Sequence, residues 1–342
     1  MNTMSHDEKI SALNEKITNL VIEAIQTGIA TGNWSPPWAA GPDIWSPMNP
    51  VTGRRYTGGN RANLGMLSWA YGFGSHYATY DQWASLSRHT PACLAARQTT
   101  DPRKLRRPSR EVCEQHDCEL VHVRKGERGH YALRPILRKM RDDDGVERER
   151  IVGFQPYTVF VSNQVAGYVE PKPVTIVHDE DTGAQFAEAE AYARTIGVDL
   201  RHSDTDGAYY QPALDYITMP ALERWQDPED YWSVLVHEMI HWTGHKDRLA
   251  RPGIVEVCGQ GSETYGREEL VAELGAAFHL AHMGRSATVR QDHMEYLAGW
   301  LKILSDDPTA LWKAATAAEH ASTMLGRRFG IATVPDKETT AA

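Results

Sequence analysis

The sequence predicts an α+β protein with two domains. Its 342 residues are enough for two domains of ordinary size, each with a core of its own. Each half combines helix-like periodicity with short strand-like runs. Residues 1–170 contain 21 Lys and Arg against 18 Asp and Glu, whereas residues 171–342 contain 15 against 27. Since this asymmetry suggests that the halves do different jobs, we predict domains at 1–170 and 171–328, followed by a disordered tail at 329–342.

Composition excludes several classes of protein. Apolar residues make up 41% and charged residues 24% of the chain, as in soluble globular proteins. The sequence contains no run of about 18 apolar residues that would predict a membrane helix. The N-terminus "MNTMSHDEKISALNEK" lacks the features of a signal peptide. Four cysteines do not make a disulfide framework in a chain of this size. We therefore expect a cytoplasmic protein with reduced thiols and no membrane partner.

The first half begins with a predicted amphipathic helix. In "EKISALNEKITNLVIEAIQTGIATG" the apolar residues recur at a spacing of three and four, and the helix is expected to end near Gly28 or Gly32. A Trp, Pro and Gly-rich segment follows, "NWSPPWAAGPDIWSPMNPVTGRRYTGGNRANLGML", in which long regular elements are not expected. Next come a short helix near Tyr80 to Leu86, a polar insert at 88–119, and strand-like runs in "CELVHVRKGERGHYALRPIL" and "RIVGFQPYTVFVSNQVAG".

The second half is predicted to be mainly helical. "AQFAEAEAYARTIG" predicts a helix, and "GAYYQPALDYITMP" predicts two strands around Pro212. A helix from Pro228 to Thr243 has an N-cap at Asp227 and a stop signal at Gly244. Further helices are expected in "YGREELVAELGAAFHLAHMG" and from about Asp292 to Leu325.

The helix at Pro228 to Thr243 carries a candidate metal site. At helical spacing His237 and His241 project from the same side, so their imidazoles can converge on one ion. The string HEMIH is the HExxH arrangement, in which the two histidines bind zinc and Glu238 acts as general base toward the attacking water. The alternative is a pair of core histidines that are satisfied by backbone or carboxylate groups.

A catalytic zinc site needs a third protein ligand, and the following helix offers one. Glu269 and Glu273 lie one turn apart on the same face, and small Ala and Gly residues nearby would allow close packing against the first helix. We predict Glu269 as the third ligand and Glu273 as the group that orients a ligand histidine. A solvated helix face is the alternative for both glutamates.

Other residues compete for the position of third ligand. "HEMIHWTGHKD" also fits a metzincin-like pattern, with Asp247 in the last ligand position. His279 and His282 are further possibilities, as is His245, which we expect to line the substrate cleft instead. Upstream, "GAYYQ" is a plausible edge strand for a peptide substrate, and its Tyr209 and Tyr210 either contact the substrate or pack on the strand face.

The basic first half suggests contacts with nucleic acid. "IWSPMNPVTGRRYTGGN" holds basic, aromatic and amide side chains in a turn-rich segment, which suits single-stranded nucleic acid. A structural loop anchored by tryptophans explains the same residues. The basic run "RKLRRPSR" would add phosphate contacts or form a solvated loop. The candidate DNA-binding residues are Trp34, Trp38, Asn49, Arg54, Arg55, Tyr56, Asn60, Arg124 and Lys125.

The cysteines of the insert form a weaker candidate. Cys93, Cys113 and Cys118, with His116 or His122, have the residue types of a second, structural zinc site. Their spacings match no standard zinc knuckle.

Several motifs in fixed order resemble one family. "NWSPPW", "PMNPVTGRRYTGGNRANL", "YATYDQW", "VRKGERG" and "YTVFVSNQVAG" resemble the N-terminal domain of ArdC-type antirestriction proteins, and "GAYYQPALDYITMP", "HEMIHWTGHKDRLAR" and "REELVAELGAAF" resemble the zincin-like metallopeptidase domain that accompanies it. The resemblance implies an α+β single-stranded-DNA-binding domain followed by a zincin-like domain. It implies a metal site at His237, Glu238, His241 and Glu269, holding Zn²⁺ or another divalent ion such as Mn²⁺. The insert at 88–119 interrupts the pattern.

Two functions of different class follow. The first is a zinc-dependent peptidase of plasmid or phage origin that is tethered to single-stranded DNA and has an unidentified protein or peptide substrate. The second is a non-enzymatic protein that coats single strands, with a structural or vestigial metal site. The presence of Glu238 favours the first, since a structural site has no need of a general base.

Overall fold

The computed structural model describes residues 5–32, 34–95, 110–141, 146–172, 181–256, 259, 261–288 and 293–330. Its helices are α1 (His6–Thr31), α2 (Gly58–Tyr71), α3 (Tyr80–Ser85), α4 (Pro91–Ala95), α5 (Arg110–Gln115), α6 (Thr182–Ile196), α7 (Pro228–Thr243), α8 (Pro252–Val255), α9 (Glu263–His282), α10 (His293–Asp306) and α11 (Ala310–Phe329). Its strands are β1 (Met48–Asn49), β2 (Arg54–Arg55), β3 (Tyr77–Ala78), β4 (His122–Val123), β5 (His130–Arg141), β6 (Glu147–Val161), β7 (Val165–Ala166), β8 (Asp199–Ser203), β9 (Tyr209–Gln211) and β10 (Tyr216–Pro220). The predicted α+β class is confirmed.

Local capping signals set the ends of the helices. Helix α7 begins at Pro228 and ends at Thr243 as predicted, and the Asp227 side chain accepts a hydrogen bond from the Glu229 amide. Helix α1 ends before Gly32, whose φ of 66° is the left-handed conformation that favours glycine. The predicted last helical region divides into α10 and α11 at residues 307–309.

The described residues of the first half form three small antiparallel sheets. Strand β6 lies between β3 and β5, β1 pairs with β2, and β4 pairs with β7. Strands β5 and β6 form a long ribbon, and Val159 and Val161 at its base are buried. Both strands are largely exposed beyond Leu133. The ribbon therefore extends as an arm from the body of the domain.

The second half places helices against a three-stranded sheet. Strand β10 lies between β8, to which it is parallel, and β9, to which it is antiparallel. Helices α7 and α9 pack closely at Gly275, where an added Cβ would lie 2.9 Å from the Ile240 side chain. The prediction that small residues of α9 permit close packing against α7 is confirmed.

The two halves share their largest hydrophobic core. Helix α1, the Trp-rich segment and α2 contribute Ile17, Trp38 and Met66 to one cluster with buried residues of α6, α7, α9, α10 and α11. The expectation of a separate core for each half is therefore wrong for these N-terminal elements, because their apolar faces are buried against the second half. The arm and β3 contribute to a smaller cluster of their own.

A buried arginine crosses between the halves. Arg61 of α2 donates hydrogen bonds to the carbonyls of Trp45 and Phe278, and its guanidinium lies 3.3 Å from the carboxylate of Glu319. Its side chain is only 2% exposed, so the charge depends on these partners.

Several predictions fall at least partly outside the described residues: the insert at 88–119, whose residues 96–109 include most of its basic run, the start of the last helical region at Asp292 and the tail from residue 331. Among the described helices, none combines the length and hydropathy needed to cross a bilayer.

Candidate metal centre

Helix α7 brings two imidazoles together at the centre of the second half. His237 and His241 are four residues apart, and their Nε2 atoms lie 3.1 Å from each other. Both histidines are buried, with relative exposures of 3% and 7%. The apolar stripe of α7, which includes Trp232 and Met239, packs into the core, so the histidines project from the opposite side.

Helix α9 supplies a carboxylate to the same point. The two oxygens of Glu269 lie 3.4 Å from His237 Nε2 and 3.4 Å from His241 Nε2. Metal bonds of about 2.1 Å in tetrahedral geometry separate ligand atoms by about 3.4 Å. Each imidazole nitrogen has a different oxygen of Glu269 at about this distance, and one ligand atom from each of the three residues lies within 4.8 Å of the other two. The donor set of two imidazoles and one carboxylate suits a divalent ion.

Two further carboxylates orient the imidazoles. Glu273 Oε1 lies 2.9 Å from His237 Nδ1, and its Oε2 accepts a hydrogen bond of 2.8 Å from Trp38 Nε1. Glu268 Oε1 lies 3.2 Å from His241 Nδ1. Each outer nitrogen thus has a carboxylate oxygen within 3.2 Å, an arrangement that favours the ring orientation in which Nε2 faces the ion. Sequence analysis predicted Glu273 in this position but did not find Glu268.

Glu268 is itself held by a buried arginine. The Arg251 guanidinium donates to both carboxylate oxygens of Glu268 and to the Ile240 carbonyl. Burial raises the pKa of Glu268, but His241 and Arg251 outweigh this effect and lower it below its usual value. The sequence signal for this pair is weak, since Arg251 lies in the loop after α7 and faces α9 only in the folded chain.

The electrostatics of the centre favour a bound cation. Burial opposes the charged form of Glu269, yet the neighbouring histidines hold its pKa well below the usual range. Burial also opposes protonation of His241, but the carboxylates of Glu269 and Glu268 outweigh it and raise its pKa to about 10. The site therefore attracts positive charge, and a divalent ion can replace the proton.

Glu238 lies beside the ligands and under the edge strand β9. One of its carboxylate oxygens accepts a hydrogen bond of 2.9 Å from the Tyr210 amide. Because β9 pairs with β10 on its other side, this amide points away from the sheet. The Tyr210 hydroxyl donates to Asp215, which also pairs with Arg248. Tyr209 is 44% exposed beside this edge.

The competing ligands lie elsewhere. The described residues that bring three donors together here are His237, His241 and Glu269. The carboxylate of Asp247 is largely exposed and lies 3.5 Å from His245 Nδ1. His279 contacts Tyr192 and Ser322 in the core, and His282, at the end of α9, is not among the described donors that converge on this point.

Comparisons with known proteins assign both halves. Residues 11–160 match the family model for the N-terminal domain of the anti-restriction factor ArdC, and residues 187–317 match the model for a zincin-like metallopeptidase. The protein y4eC of Sinorhizobium fredii is 30% identical over 316 residues, which cover 90% of this chain and 89% of y4eC. This chain belongs to the ArdC-type antirestriction family.

Solved structures and further relatives agree with this assignment. Two crystal structures of the antirestriction ArdC protein from plasmid R388, one metal-free and one Mn(II)-bound, have TM-scores of 0.65 and 0.63, with 26% and 25% identity. They cover 93% and 92% of this chain, and 97% of ArdC in each case. Two DNA primases TraC of Escherichia coli are each 29% identical over 90% of this chain, which spans only 19% and 26% of their length.

Several predicted DNA contacts of this ArdC-type chain are structural instead. Trp34 and Trp38 are 6% and 0% exposed, so the prediction that they contact DNA is wrong, because their rings are enclosed by the shared core. The alternative, a structural loop anchored by tryptophans, agrees with this burial. Asn49 accepts from the amides of Val51 and Thr52 in the turn after β1. The Asn60 side chain donates a hydrogen bond to the Leu133 carbonyl of β5 and accepts one from the amide of the same residue.

The remaining candidates lie at or near the surface. Tyr56 is partly buried and donates its hydroxyl to the Tyr77 carbonyl. Arg54, Arg55 and Lys125 are exposed, and Arg124 is half-exposed beside Glu127. These four basic residues are placed where they can meet a ligand.

Proposed function

We propose that this protein is an antirestriction protein of mobile DNA that binds single-stranded DNA through its first domain and hydrolyses peptide bonds at the metal centre. One observation carries the enzymatic part: ligand atoms of His237, His241 and Glu269 converge within 4.8 Å of one another, and Glu238, next to His237 in the same helix, is bonded to the amide of the strand edge. Membership of the ArdC-type family supports the antirestriction role.

Zn²⁺ is the proposed ion, with Mn²⁺ as the alternative. Two imidazole nitrogens and one carboxylate are the donor set of zinc hydrolases, which leave a fourth position for water. The ArdC protein from R388 has an Mn(II)-bound structure, and imidazole and carboxylate ligands also accept that ion. A bound divalent ion would lower the pKa of its water and polarise the substrate carbonyl.

The residues around the ion would divide the remaining work. Glu238 accepts the proton of the attacking water and passes it to the leaving amine. The Tyr210 amide fixes one oxygen of this carboxylate, which orients the base toward the site. The glutamates behind the histidines keep each ring in the tautomer that presents Nε2.

The exposed edge of β9 suits an extended peptide. Since the Tyr210 amide faces Glu238 rather than β10, a peptide bound along this edge would run past the general base. Tyr209 is exposed at the same edge, and the partly buried His245 follows α7. We propose that both contribute to the substrate cleft.

The arm formed by β5 and β6 supports the DNA-binding part. On one face of the ribbon the cross-strand register gives four neighbouring pairs: Arg134–Gln155, Ile136–Gly153, Arg138–Arg150 and Met140–Arg148. No acidic residue occurs among these eight positions. Two arginines directly opposite each other repel, so a polyanion lying on this face would relieve an unfavourable contact.

The opposite face of the arm has a different charge pattern. There the register pairs Lys139 with Glu149 and Arg141 with Glu147, and the second pair lies within 3.8 Å. Positive charge is therefore concentrated on the arginine face. Tyr157 lies at the base of this face and interacts with Tyr56 and Arg134. Because Tyr56 directly follows Arg54 and Arg55 of β2, this interaction connects the arm with that strand.

The peptidase proposal is tested by replacing the general base. Glu238→Gln keeps the shape and the hydrogen bond from Tyr210 but cannot accept a proton. We expect metal content to be unchanged, and the hydrolysis of a mixed peptide library and the protection of unmodified plasmid DNA in a restricting host to be lost. Glu23→Gln, an exposed carboxylate of α1, is the matched control.

Full protection by Glu238→Gln would contradict the peptidase role. In that case the second candidate, a protein that protects DNA by coating single strands, would explain the antirestriction effect. The arginine face favours this candidate independently of the metal centre.

DNA binding is tested with variants of the two faces of the arm. Arg138→Ala with Arg150→Ala should weaken binding to a single-stranded oligonucleotide and reduce the slope of log K against log salt by about 0.7 per lost phosphate contact. Lys139→Ala on the opposite face should retain most of the affinity. Equal effects of the two changes, or affinity that does not depend on salt, would contradict the proposed surface.

A further inference from the structure

The insert contains a second convergence of metal-binding side chains. Donor atoms of His89, Cys93, Cys113 and Cys118 all lie within 4.8 Å of one another. The three cysteines are free thiols. Cys93 Sγ lies 3.7 Å from Cys113 Sγ, and the latter lies 3.5 Å from His89 Nδ1.

These separations match a tetrahedral ion rather than a disulfide. Zinc bonds of about 2.3 Å to sulfur and about 2.1 Å to nitrogen give about 3.8 Å between two sulfurs and about 3.6 Å between sulfur and nitrogen. A disulfide would require about 2.05 Å between sulfurs. The cluster is thus arranged around a common centre and not as a covalent pair.

Backbone contacts at the base of the insert bring the four residues together. Arg88 and Glu119 exchange two backbone hydrogen bonds of 2.9 and 3.1 Å, which places His89 next to Cys118. On the second segment, Asp117 adopts a φ of 50°, and the Cys118 amide donates back to the Cys113 carbonyl. This turn directs two cysteines toward the same point.

Thr90 ties the two ligand-bearing segments to each other. Its side-chain oxygen accepts from the Cys93 amide at the start of α4 and donates to the His116 carbonyl at the end of α5. Hydrogen bonds to the backbone of both segments therefore help to hold the four side chains of the cluster near one another.

The described part of the insert buries few apolar side chains. Of its residues whose burial is described, only Cys93 and Cys113 are buried, while Leu94 is 40% exposed. A unit this small that buries so little apolar surface usually needs a disulfide or a metal to stay folded. The buried side chains here are the ligands themselves.

We propose that His89, Cys93, Cys113 and Cys118 bind a structural Zn²⁺ ion that folds the insert. Three thiolates and one imidazole form a closed structural site, and thiolates select zinc over manganese. The spacing is His-x₃-Cys followed by Cys-x₄-Cys. The ion would tie together the ends of the segment whose sequence includes "RKLRRPSR".

The histidine that lies beside the cysteines differs from the two that the sequence suggested. His116 lies in the turn after α5, and His122 lies in β4, where it pairs with Ala166. Neither belongs to the cluster, whereas His89 does. His89 precedes Cys93 by four residues, and this His-x₃-Cys spacing is the signal in the sequence that could have identified it.

The test counts metal ions in the full-length protein. Purified with zinc, the wild-type protein should contain two equivalents per chain, and the double variant His237→Ala, His241→Ala should retain one. Loaded with Co²⁺, this double variant should show thiolate-to-cobalt charge-transfer absorption and the spectrum of a tetrahedral ion. It leaves the insert intact, so misfolding of the insert cannot explain the result.

Variants of the insert then assign the ligands. Cys118→Ser and His89→Ala should each lower zinc content by one equivalent, while His116→Ala should leave it at two. Absence of metal and of charge transfer in the double variant would overturn the proposal. It would also fail if His116→Ala lost zinc and His89→Ala did not, or if thiol titration of the protein purified without reductant found these cysteines oxidised.

Discussion

His241 Nδ1 lies 3.2 Å from Glu268 Oε1, while its Nε2 lies 3.4 Å from the carboxylate of the next residue, Glu269. Two consecutive glutamates of α9 thus hold the two nitrogens of one imidazole. Since the Glu268 carboxylate accepts hydrogen bonds, Nδ1 carries a proton, and Nε2 would present its lone pair once a divalent ion replaces the second proton of the ring. Arg251 keeps Glu268 ionised and in place.

Glu268→Gln should weaken metal binding. The amide cannot hold the Nδ1 proton as a carboxylate does, and changes of this kind cost about 10-fold to 100-fold in affinity. Competition with a chromophoric chelator measures the effect on the folded protein. Glu263→Gln, at the exposed start of the same helix, is the control and should change nothing. Equal affinities for Glu268→Gln and the wild type would contradict the orienting role.

Trp38→Phe should destabilise the protein more than Trp34→Phe does. Trp38 Nε1 donates to Glu273, whose other oxygen contacts His237, so the substitution leaves a buried acceptor without this donor at a cost of about 1–3 kcal/mol. Trp34 Nε1 is buried and has no hydrogen-bond partner among the residues that the structure describes, and its replacement removes a similar volume. Urea denaturation of both variants isolates the hydrogen bond. If Trp34→Phe were the more destabilising variant, packing and not the hydrogen bond to Glu273 would determine the loss of stability.

Arg61→Ala should be strongly destabilising. The substitution leaves the partly buried Glu319 carboxylate and two carbonyls without the guanidinium, and removing one partner of a buried pair costs about 3–5 kcal/mol. Because Arg61 joins α2 to α11, both halves should unfold at lower denaturant concentration. Arg55→Ala, an exposed arginine nearby, should have little effect. Tryptophan fluorescence and far-UV circular dichroism measure the unfolding. Different transition midpoints from the two methods would contradict the expectation that both halves unfold together.

Metal should stabilise the folded chain through the histidine centre. An ion at 100 times its dissociation constant adds about 2.7 kcal/mol to the free energy of unfolding. Mn²⁺ is the suitable probe, since the thiolate cluster of the insert disfavours it. Thermal unfolding should shift upward with Mn²⁺ in the wild type and remain unchanged in His237→Ala. A shift of the same size in both proteins would place the ion elsewhere.

Stability should decrease with acidification below neutral pH. Burial lowers the pKa of His279 from 6.5 to about 4, so the unfolded state binds a proton between these values that the folded state does not. Stability is therefore lost as pH falls from about 6.5 toward 4, by up to about 3 kcal/mol for this residue. His279→Gln should flatten the dependence, and the exposed His6→Gln should not. Identical pH profiles for wild type and His279→Gln would exclude this cause.

The local features of the site could be predicted from the sequence. The bounds of α7, its Asp227 cap and the projection of His237 and His241 from one side all follow from short-range helix geometry. The placement of Glu238 beside them follows in the same way. Each of these relationships spans at most one or two turns, so neighbouring residues determine it.

The residues that complete the site were decided by packing. The rotation of α9 against α7 placed Glu268 as well as Glu273 behind an imidazole, and no local pattern sets such a rotation. Trp38 was predicted to meet DNA, yet it is buried and bonds to Glu273, 235 positions away.

The sequence by itself determined the α+β class, the family and the helix that carries the paired histidines, because these depend on periodicity, capping and short motifs. Only the tertiary structure decided which glutamates face the ion, which histidine joins the cysteines, and that the N-terminal helices share a core with the second half. Such contacts join residues far apart in the chain. They form because apolar faces must be buried together, and the side chains that meet there are set by the packing of whole elements.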